Sequence, residues 1–389
     1  MITKITNGTV ITDGKTVKKD VYFENGKITA VTDKALPFDE CIDAGGNYVS
    51  AGFIEIHSHG AGGHDFLDNT EEAYFGASRT HAEHGCTTII PTITSGSKES
   101  MLNAIKLFES IKDKKHDGAN MPGLHLEGPY FSVNQKGAQE ERFIRAFDKE
   151  EYSEILSHEG IVLRWTGAPE QDGSEEFAKY LSERGVLASI GHSDADCETA
   201  TKAFYNGFTH ATHLYSGMSS VHRKNAFRYA GVVEAAYLLD DMTVEIICDG
   251  IHLPKELLKF VYKFKNRENI VLTTDSMRGA GMGEGESILG SKTDGLRVII
   301  EDGVAKLLDR TAFAGSVCLC DRAVRTMKNL AEIPMEEAVY LMTKNPARIM
   351  NLKTKGDIAE GLDADIVIFN ENVDVLRTVI GGRTVFCND

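Results

Sequence analysis

The chain has 389 residues, of which 42% are hydrophobic and 26% charged, as in an ordinary globular protein large enough for more than one domain. Its formal net charge of −16 argues against binding of nucleic acid, although a small anionic substrate needs only one or two local cations. Apolar runs such as VEIIC and IVIF are far shorter than the roughly 20 residues that cross a bilayer. The seven cysteines, including the pair Cys318 and Cys320, indicate reduced thiols in a cytoplasmic protein without membrane partners.

The two ends of the chain share one style of sequence. Residues 1–49 contain short strand-like runs separated by Asn-Gly and Asp-Gly pairs, which favour hairpin turns. Residues 346–389 resume that style with ADIVIF and VLRTVIGGRTVF. Because chain termini usually lie close together, we expect 1–49 and 346–389 to form one small β-sandwich domain.

The middle of the chain, residues 50–345, alternates strand-like with helix-like segments. The strand candidates are GFIEIH, TTIIPTIT, GLHLEG, IVLRWTG, VLASIGH, FTHATHLY, VEIICDG and NIVLTTD. Eight such β/α units predict an α/β protein with a (β/α)8 barrel of the TIM type. A doubly wound sheet would need a glycine-rich loop after its first strand, and the sequence has none there. The glycine-rich stretch 279–290 follows the eighth strand, as either a mobile loop over the barrel mouth or a surface insertion.

Metal-capable side chains stand at the ends of these predicted strands. They are His57, His59, Glu127, His192, His213 and Asp275. Active sites of such barrels lie at the carboxyl ends of the strands, so we expect the six to converge. Imidazole and carboxylate groups suit zinc, iron or manganese. A side chain that is merely hydrogen-bonded within a barrel core would explain any one of these residues. It would not explain six of them at strand ends.

Five further histidines carry weaker signals. His81 and His84 lie in a helix-like segment, where packing or surface roles are expected. His125 shares a strand face with the Glu at the end of the third strand, and either supports the metal ligands or belongs to the core. His210 is expected to be structural. His252, just beyond the seventh strand, is placed for substrate contact.

Five motifs occur in this order along the chain: HLEGPY, GHSDA, THLYSGM, CDGIHLP and TTDSM. Together they resemble the N-acetylglucosamine-6-phosphate deacetylase family of the amidohydrolase superfamily. The resemblance runs from AGFIEIHSHG to GLDADIVIF and so covers most of the chain. The H-x-H pair alone is common, whereas LEGP with GHS and THLY is specific. The resemblance implies a metal-dependent barrel, a β-sandwich built from both termini, and a homodimer.

The resemblance also implies roles for the ligands. Glu127 takes the place of the carbamylated lysine of many amidohydrolases, and His192 with His213 completes a second-ion site. The H-x-H pair is intact, so one or two divalent ions per subunit are expected, zinc first and iron or manganese as alternatives. Asp275 would take a proton from the attacking water and pass it to the departing amine.

The substrate contacts depart from the family pattern. The family's LYNAM reads LYSGM here, which places Ser216 where an asparagine commonly meets the sugar phosphate, with Gly217 next to it as a further candidate substrate contact. The family's KGAH reads KGAQ, so Ala138 is kept and Gln139 replaces a histidine expected to bind the sugar. These changes leave the deacetylation chemistry in place and the identity of the sugar open.

The phosphate contact is the least regular part of the resemblance. The family's H-H-R-E-P-G becomes HRKNAFRYAG, so the phosphate-binding arginine is Arg228 or Arg223. Arg228 is favoured because it keeps the spacing to the following Gly-Val-Val, and a guanidinium donates two parallel hydrogen bonds to a phosphate. An ordinary surface ion pair is the alternative for either arginine.

The expected activity is metal-dependent deacetylation of N-acetylglucosamine 6-phosphate to glucosamine 6-phosphate and acetate. The alternative substrates are N-acetylgalactosamine 6-phosphate or another N-acyl compound. A non-catalytic scaffold is the other class considered, and it would have eroded ligands. The resemblance further suggests that the arginine segment reaches a neighbouring subunit's active site.

Overall fold

The chain opens with seven short strands, in a computed structural model that describes residues 1–388. These strands are β1 (Ile2–Thr6), β2 (Thr9–Thr12), β3 (Lys15–Val17), β4 (Asp20–Glu24), β5 (Lys27–Thr32), β6 (Glu40–Asp43) and β7 (Tyr48–Ala51). Asn7, Asp13 and Asn25 turn the chain between them with φ of 56°, 49° and 51°. These are the positions of the Asn-Gly and Asp-Gly pairs, whose residues tolerate this left-handed conformation.

Eight β/α units follow. Their elements are β8 (Phe53–Ser58), β9 (Gly60–Ala61), β10 (His64–Asp65), α1 (Glu71–Glu83), β11 (Cys86–Thr94), α2 (Lys98–Ile111), β12 (Leu124–Glu127), α3 (Lys149–Ile155), β13 (Val162–Gly167), α4 (Ser174–Ser182), β14 (Leu187–Ile190), α5 (Cys197–Tyr205), β15 (Phe208–Ala211), β16 (His222–Lys224), β17 (Phe227–Tyr229), α6 (Val232–Leu238), β18 (Thr243–Ile247), α7 (Lys255–Phe264), β19 (Ile270–Thr273), β20 (Gly285–Leu289), β21 (Leu296–Glu301), β22 (Val304–Leu307) and α8 (Cys320–Leu330). Single 3-10 turns cover Phe66–Asp68, Val133–Gln135, Glu141–Phe143 and Arg267–Asn269.

The strands β8, β11, β12, β13, β14, β15, β18 and β19 form one parallel eight-stranded sheet in chain order. Its first and last strands meet where Asp275 N donates to His57 O at 2.9 Å and His59 N donates to Ser276 O at 2.8 Å. These bonds join the two edges just beyond the strand ends. The predicted (β/α)8 barrel is confirmed, and each of the eight predicted strand segments contributes one strand.

The barrel strands are apolar because helices cover the outer face of the sheet. All six residues of β8 are buried, as expected for a parallel strand covered on both sides. Helix α2 shows the complementary pattern. Ser97 caps its N-terminus, with a side chain that accepts from Ser100 N. The helix buries Met101, Ile105 and Phe108 along one face. These matching apolar surfaces hold each helix against the strands.

The chain ends with α9 (Met335–Met342), α10 (Lys344–Ile349), β23 (Ile366–Phe369), β24 (Val375–Ile380) and β25 (Arg383–Cys387). The last three strands join β7, β2 and β3 in a six-stranded sheet, and β5, β4, β1 and β6 form a second sheet. Side chains from both termini, such as Val21, Val49, Ile366 and Val379, share one buried cluster. The β structure from both termini is therefore confirmed, while the domain boundaries at 49 and 346 stay a prediction.

The glycine-rich stretch 279–290 is not an unpaired loop. Its second half forms β20, which pairs antiparallel with β21 in a three-stranded sheet inserted between β19 and α8. Cys318 and Cys320, at the entry to α8, are buried free thiols. Among residues 1–388, every helix is too short or too polar to traverse a lipid bilayer.

Candidate metal centre

The six metal-capable side chains converge at the carboxyl ends of five barrel strands. They form two groups, in each of which the ligand atoms lie within 4.8 Å of one another. The His57 group contains His57, His59 and Asp275, and the Glu127 group contains Glu127, His192 and His213. The ligands come from β8, β12 and the residues just beyond β14, β15 and β19. The barrel thus gathers residues that are far apart in sequence.

Three of the six residues have an uncommon backbone conformation. His192, His213 and Asp275 each stand two residues beyond a strand end and adopt φ of 48°, 31° and 47°. Only a few per cent of residues other than glycine enter this left-handed region, and such strain persists where the surrounding structure enforces it. For Asp275 the enforcing contacts are visible, since its N–H donates to His57 O and its carbonyl accepts from Ser316 N at 2.8 Å.

Glu127 lies between the two groups. Its Oε1 is 3.1 Å from His213 Nε2, 3.2 Å from His192 Nε2 and 3.4 Å from His57 Nε2. Its Oε2 is 3.4 Å from His59 Nε2. Asp275 faces the same histidine, with Oδ1 at 3.2 Å from His59 Nε2. One carboxylate can therefore serve both groups, because its Oε1 also faces His57 and its Oε2 faces His59.

This donor set fits a divalent metal. Ligands about 2.0–2.2 Å from a tetrahedral ion lie roughly 3.4 Å from one another, which matches the spacing around Glu127. His57 Nε2 is fully buried and makes no hydrogen bond, although it points at Glu127 and Asp275. A buried polar atom without a partner is costly, and a metal ion would satisfy it.

Both carboxylates of the centre are held in the ionised form. Burial raises the pKa of Glu127, but His57, His192 and His213 outweigh it and hold that pKa well below its usual range. Burial also raises the pKa of Asp275, and the charges and hydrogen bonds of His57 and His59 bring it below its usual value. Each carboxylate can therefore accept a proton or bind a cation at neutral pH.

A buried carboxylate beneath the centre was not singled out from the sequence. Glu245, in β18, accepts from His57 Nδ1 at 2.7 Å and from His213 N at 3.1 Å through its Oε1. Its Oε2 accepts from Arg164 Nη1 at 2.6 Å. Such a carboxylate on the far ring nitrogen fixes the tautomer that leaves His57 Nε2 free to bind a metal. The available signal was a charged residue in each of two otherwise apolar strand segments, VEIIC and IVLRWTG.

The centre opens into a cavity of about 230 Å³ at the barrel mouth. Five predicted substrate contacts line this cavity beside the metal-capable residues: Ala138, Gln139, Ser216, Gly217 and His252. His252 Nδ1 is held by Asp249 Oδ2 at 2.8 Å. Its ring packs against Phe313, with centroids 4.6 Å apart. Phe313 and Leu289 also line the cavity, and neither was predicted from the sequence.

The two candidate phosphate-binding arginines lie elsewhere. Arg223 and Arg228 face each other across the β16–β17 hairpin, all of whose strand residues are exposed. Neither lines the cavity, and within the described chain the cavity lining contains no lysine or arginine. Among the described residues, neither candidate arginine therefore lies at the cavity beside the metal-capable groups.

The remaining histidines have mainly supporting positions. His125 Nε2 is hydrogen-bonded with Thr166 Oγ1, and its ring packs edge-on against His57 with centroids 4.7 Å apart. His210 lies 2.7 Å from Thr243 Oγ1, in the structural role expected. His81 packs below the seam of the barrel, with Nε2 3.0 Å from Ser58 Oγ.

A parallel (β/α)8 barrel with histidine and carboxylate side chains at its carboxyl end defines a class of metal-dependent hydrolases. The sequence model of the amidohydrolase family matches residues 48–385, and the chain belongs to that family.

Similar proteins narrow the comparison. An N-acetylglucosamine-6-phosphate deacetylase of Lysinibacillus sphaericus is 32% identical over 383 residues, covering 97% of this chain and 96% of the relative. The structure of the corresponding deacetylase of Pasteurella multocida superposes with a TM-score of 0.92 at 26% identity, covering 100% of both chains. A variant of the Mycobacterium smegmatis deacetylase in complex with N-acetyl-D-glucosamine-6-phosphate gives a TM-score of 0.90 at 27% identity and 99% coverage of both chains.

Proposed function

We propose that this chain removes the acetyl group from N-acetylglucosamine 6-phosphate and releases glucosamine 6-phosphate and acetate. The observation that carries this proposal is the convergence of the His57 group and the Glu127 group on one cavity at the barrel mouth. The similarity to deacetylases over nearly the full chain supports the same reaction. A scaffold without catalysis would not need this complete ligand set.

The residues of the two groups would hold one or two divalent ions. Zinc suits nitrogen and oxygen ligands at this spacing, and iron or manganese is compatible with them. When bound, such an ion lowers the pKa of a coordinated water from 15.7 towards about 7 and polarises an amide carbonyl. Glu245 would keep the His57 ring turned so that Nε2 faces the ion, because Nδ1 is already held at 2.7 Å.

Asp275 would move the proton. Its ionised carboxylate lines the cavity and accepts the proton of the water that attacks the acetyl carbon. Asp275 then donates this proton to the sugar nitrogen as the C–N bond breaks, so that the amine leaves neutral. The bond formed is between the acetyl carbon and the water oxygen, and acetate is the second product.

Recognition of the phosphate would need a second copy of the chain. The cavity of one chain has no lysine or arginine among its described lining residues, while Arg228 stands on an exposed hairpin. Val221, Phe227 and Tyr229, on or next to the same hairpin, are 59%, 70% and 43% exposed, and such a cluster of exposed apolar side chains favours contact with another surface. We therefore propose a homodimer in which Arg228, or Arg223 opposite it, reaches the neighbouring cavity.

One observation keeps a second substrate open. Gln139 stands where the resembled family has a sugar-binding histidine, and its amide is engaged by Glu127. Ser216 likewise replaces an asparagine. These two positions favour N-acetylgalactosamine 6-phosphate or another N-acyl compound as the alternative substrate. A cytoplasmic location stays a prediction of the sequence.

Acetate release by the metal-loaded protein tests the proposal. The panel contains N-acetylglucosamine 6-phosphate, N-acetylgalactosamine 6-phosphate and both sugars without phosphate, each with a chelator-treated control. We expect the highest kcat/KM for the first and no release after chelation. A higher kcat/KM for N-acetylgalactosamine 6-phosphate would make that sugar the assigned substrate. Equal rates with all four sugars would show that the phosphate is not recognised.

A further inference from the structure

Gln139 touches the carboxylate that lies between the two metal-capable groups. Its Nε2 donates to Glu127 Oε2 at 2.9 Å. Its Oε1 accepts from Thr94 Oγ1 at 2.6 Å and from Ser95 N at 3.3 Å. Thr94 is the last residue of β11 and pairs in register with Glu127 on β12. The Gln139 side chain therefore ties together two neighbouring strand ends.

These contacts fix which end of the amide faces Glu127. A backbone N–H can only donate, so the atom of Gln139 facing Ser95 N must be the oxygen. The other end is then the NH2 group, and it donates to Glu127 Oε2.

The two oxygens of Glu127 consequently have different surroundings. Oε1 faces His192 Nε2 and His213 Nε2 at 3.1–3.2 Å and His57 Nε2 at 3.4 Å, and no N–H donor outside the histidines reaches it among the hydrogen bonds of the described residues. Oε2 faces His59 at 3.4 Å and already accepts from the Gln139 amide. An oxygen that accepts a hydrogen bond has less electron density and one fewer lone pair for a metal ion.

We propose that Gln139 is a positioning residue that makes the two metal-binding groups unequal. It anchors Glu127 so that Oε1 completes the Glu127 group, which binds the first ion tightly. It also weakens Oε2 as a donor to the His57 group, which binds a second ion with lower affinity. This inference rests on the metal dependence proposed above, and it concerns the affinities of the two groups rather than the reaction.

Metal titration of the stripped protein tests the inference without measuring activity. Equilibrium titration with Co²⁺ gives the affinities of the first and second equivalents. We expect two unequal affinities in the unchanged protein. Gln139→Met keeps the length of the side chain and removes both the donor and the acceptor. This substitution should lower the ratio of the first affinity to the second by about 10- to 100-fold. That is the range observed for partners that orient metal ligands.

Matched variants separate this role from a general loss of structure. Gln171→Met makes the same change at an amide that donates to Phe131 O at 3.1 Å, and it should leave the ratio unchanged. His59→Gln should abolish the weaker site, and His192→Gln the tighter one.

The outcomes distinguish the inference from the proposed function. Two equal affinities in the unchanged protein, or an unchanged ratio in Gln139→Met, would overturn the inference and leave the deacetylase proposal intact. Binding of no metal at all would overturn both. The thermal midpoint of each metal-free variant, compared with that of the metal-free parent, shows that the variant is folded.

Discussion

The metal centre and the β16–β17 hairpin show opposite ways of building a functional site. The centre is buried, and every ligand is fixed by a strand end or by a hydrogen-bonded turn beyond it. The hairpin is exposed, and its two strands pair only with each other. The difference teaches that the metal-capable side chains are assembled within one chain, whereas the candidate phosphate-binding arginines lie outside the cavity that those side chains line.

Asp275→Asn should have the largest effect, because it removes the proton carrier from the centre. We expect kcat to fall by roughly 10²–10⁴-fold, the usual contribution of a general acid or base. The ion of the Glu127 group should remain, since Asp275 is not one of its ligands. Steady-state kinetics and metal analysis measure the two quantities.

The control for this change is the same substitution at an exposed aspartate. Asp241→Asn lies at the surface and should leave both kcat and metal content unchanged. Full activity in Asp275→Asn would mean that another group moves the proton, and the assignment of Asp275 would fail.

Glu245→Gln should lower both the metal affinity of the centre and the stability of the protein, because Glu245 contacts His57 and Arg164. It removes the charge that pairs with Arg164 and leaves one acceptor oxygen where Glu245 offers two, one to His57 and one to Arg164. Metal affinity should fall by about 10- to 100-fold. The free energy of unfolding of the metal-free protein should fall by about 3–5 kcal/mol, because the buried Arg164 charge loses its partner. Metal titration and denaturant unfolding provide the measurements.

A surface pair supplies the matched control. Glu286→Gln breaks an ion pair with Arg297 whose side chains are both 65% exposed, and its effect on unfolding should stay within about 1 kcal/mol. If Glu245→Gln changed stability no more than Glu286→Gln, the buried pair would not hold the centre together.

Arg228→Ala should have the smallest effect, and it should be selective. Loss of a charged hydrogen bond to phosphate costs about 1.5–3 kcal/mol, so KM for the phosphorylated sugar should rise by roughly 10- to 100-fold. The unphosphorylated sugar should be unaffected. The same assay on Arg223→Ala decides between the two arginines.

Mixing variants tests whether the hairpin acts across a dimer. A hybrid of Arg228→Ala and Asp275→Asn subunits contains one cavity with both groups intact. Activity at low substrate concentration should therefore recover on mixing. The absence of any recovery would show that the arginine serves its own chain or none.

The sequence was a good guide to elements and a poor guide to contacts between them. Each predicted barrel segment is a strand because an apolar run bounded by turn residues is a local property. The positions of the metal-capable residues followed from the rule that barrel sites lie at the carboxyl ends of strands. The roles of Glu245 and Arg164 were not predicted, because a single charge in an apolar run does not reveal what it pairs with. The β20–β22 sheet was not predicted, although Asp302 and Gly303 mark the turn between β21 and β22.

The sequence by itself determined which residue types stand at the strand ends, since composition and spacing are written along the chain. Only the tertiary structure decided which of these residues belong to the same metal-capable group. Closure of the barrel brings Asp275 Oδ1 to 3.2 Å from His59 Nε2, although the two residues are far apart in the sequence. It also placed Gln139 against Glu127 and kept Arg228 outside the cavity. Such distances depend on how strands and loops pack in three dimensions, and no local pattern contains that information.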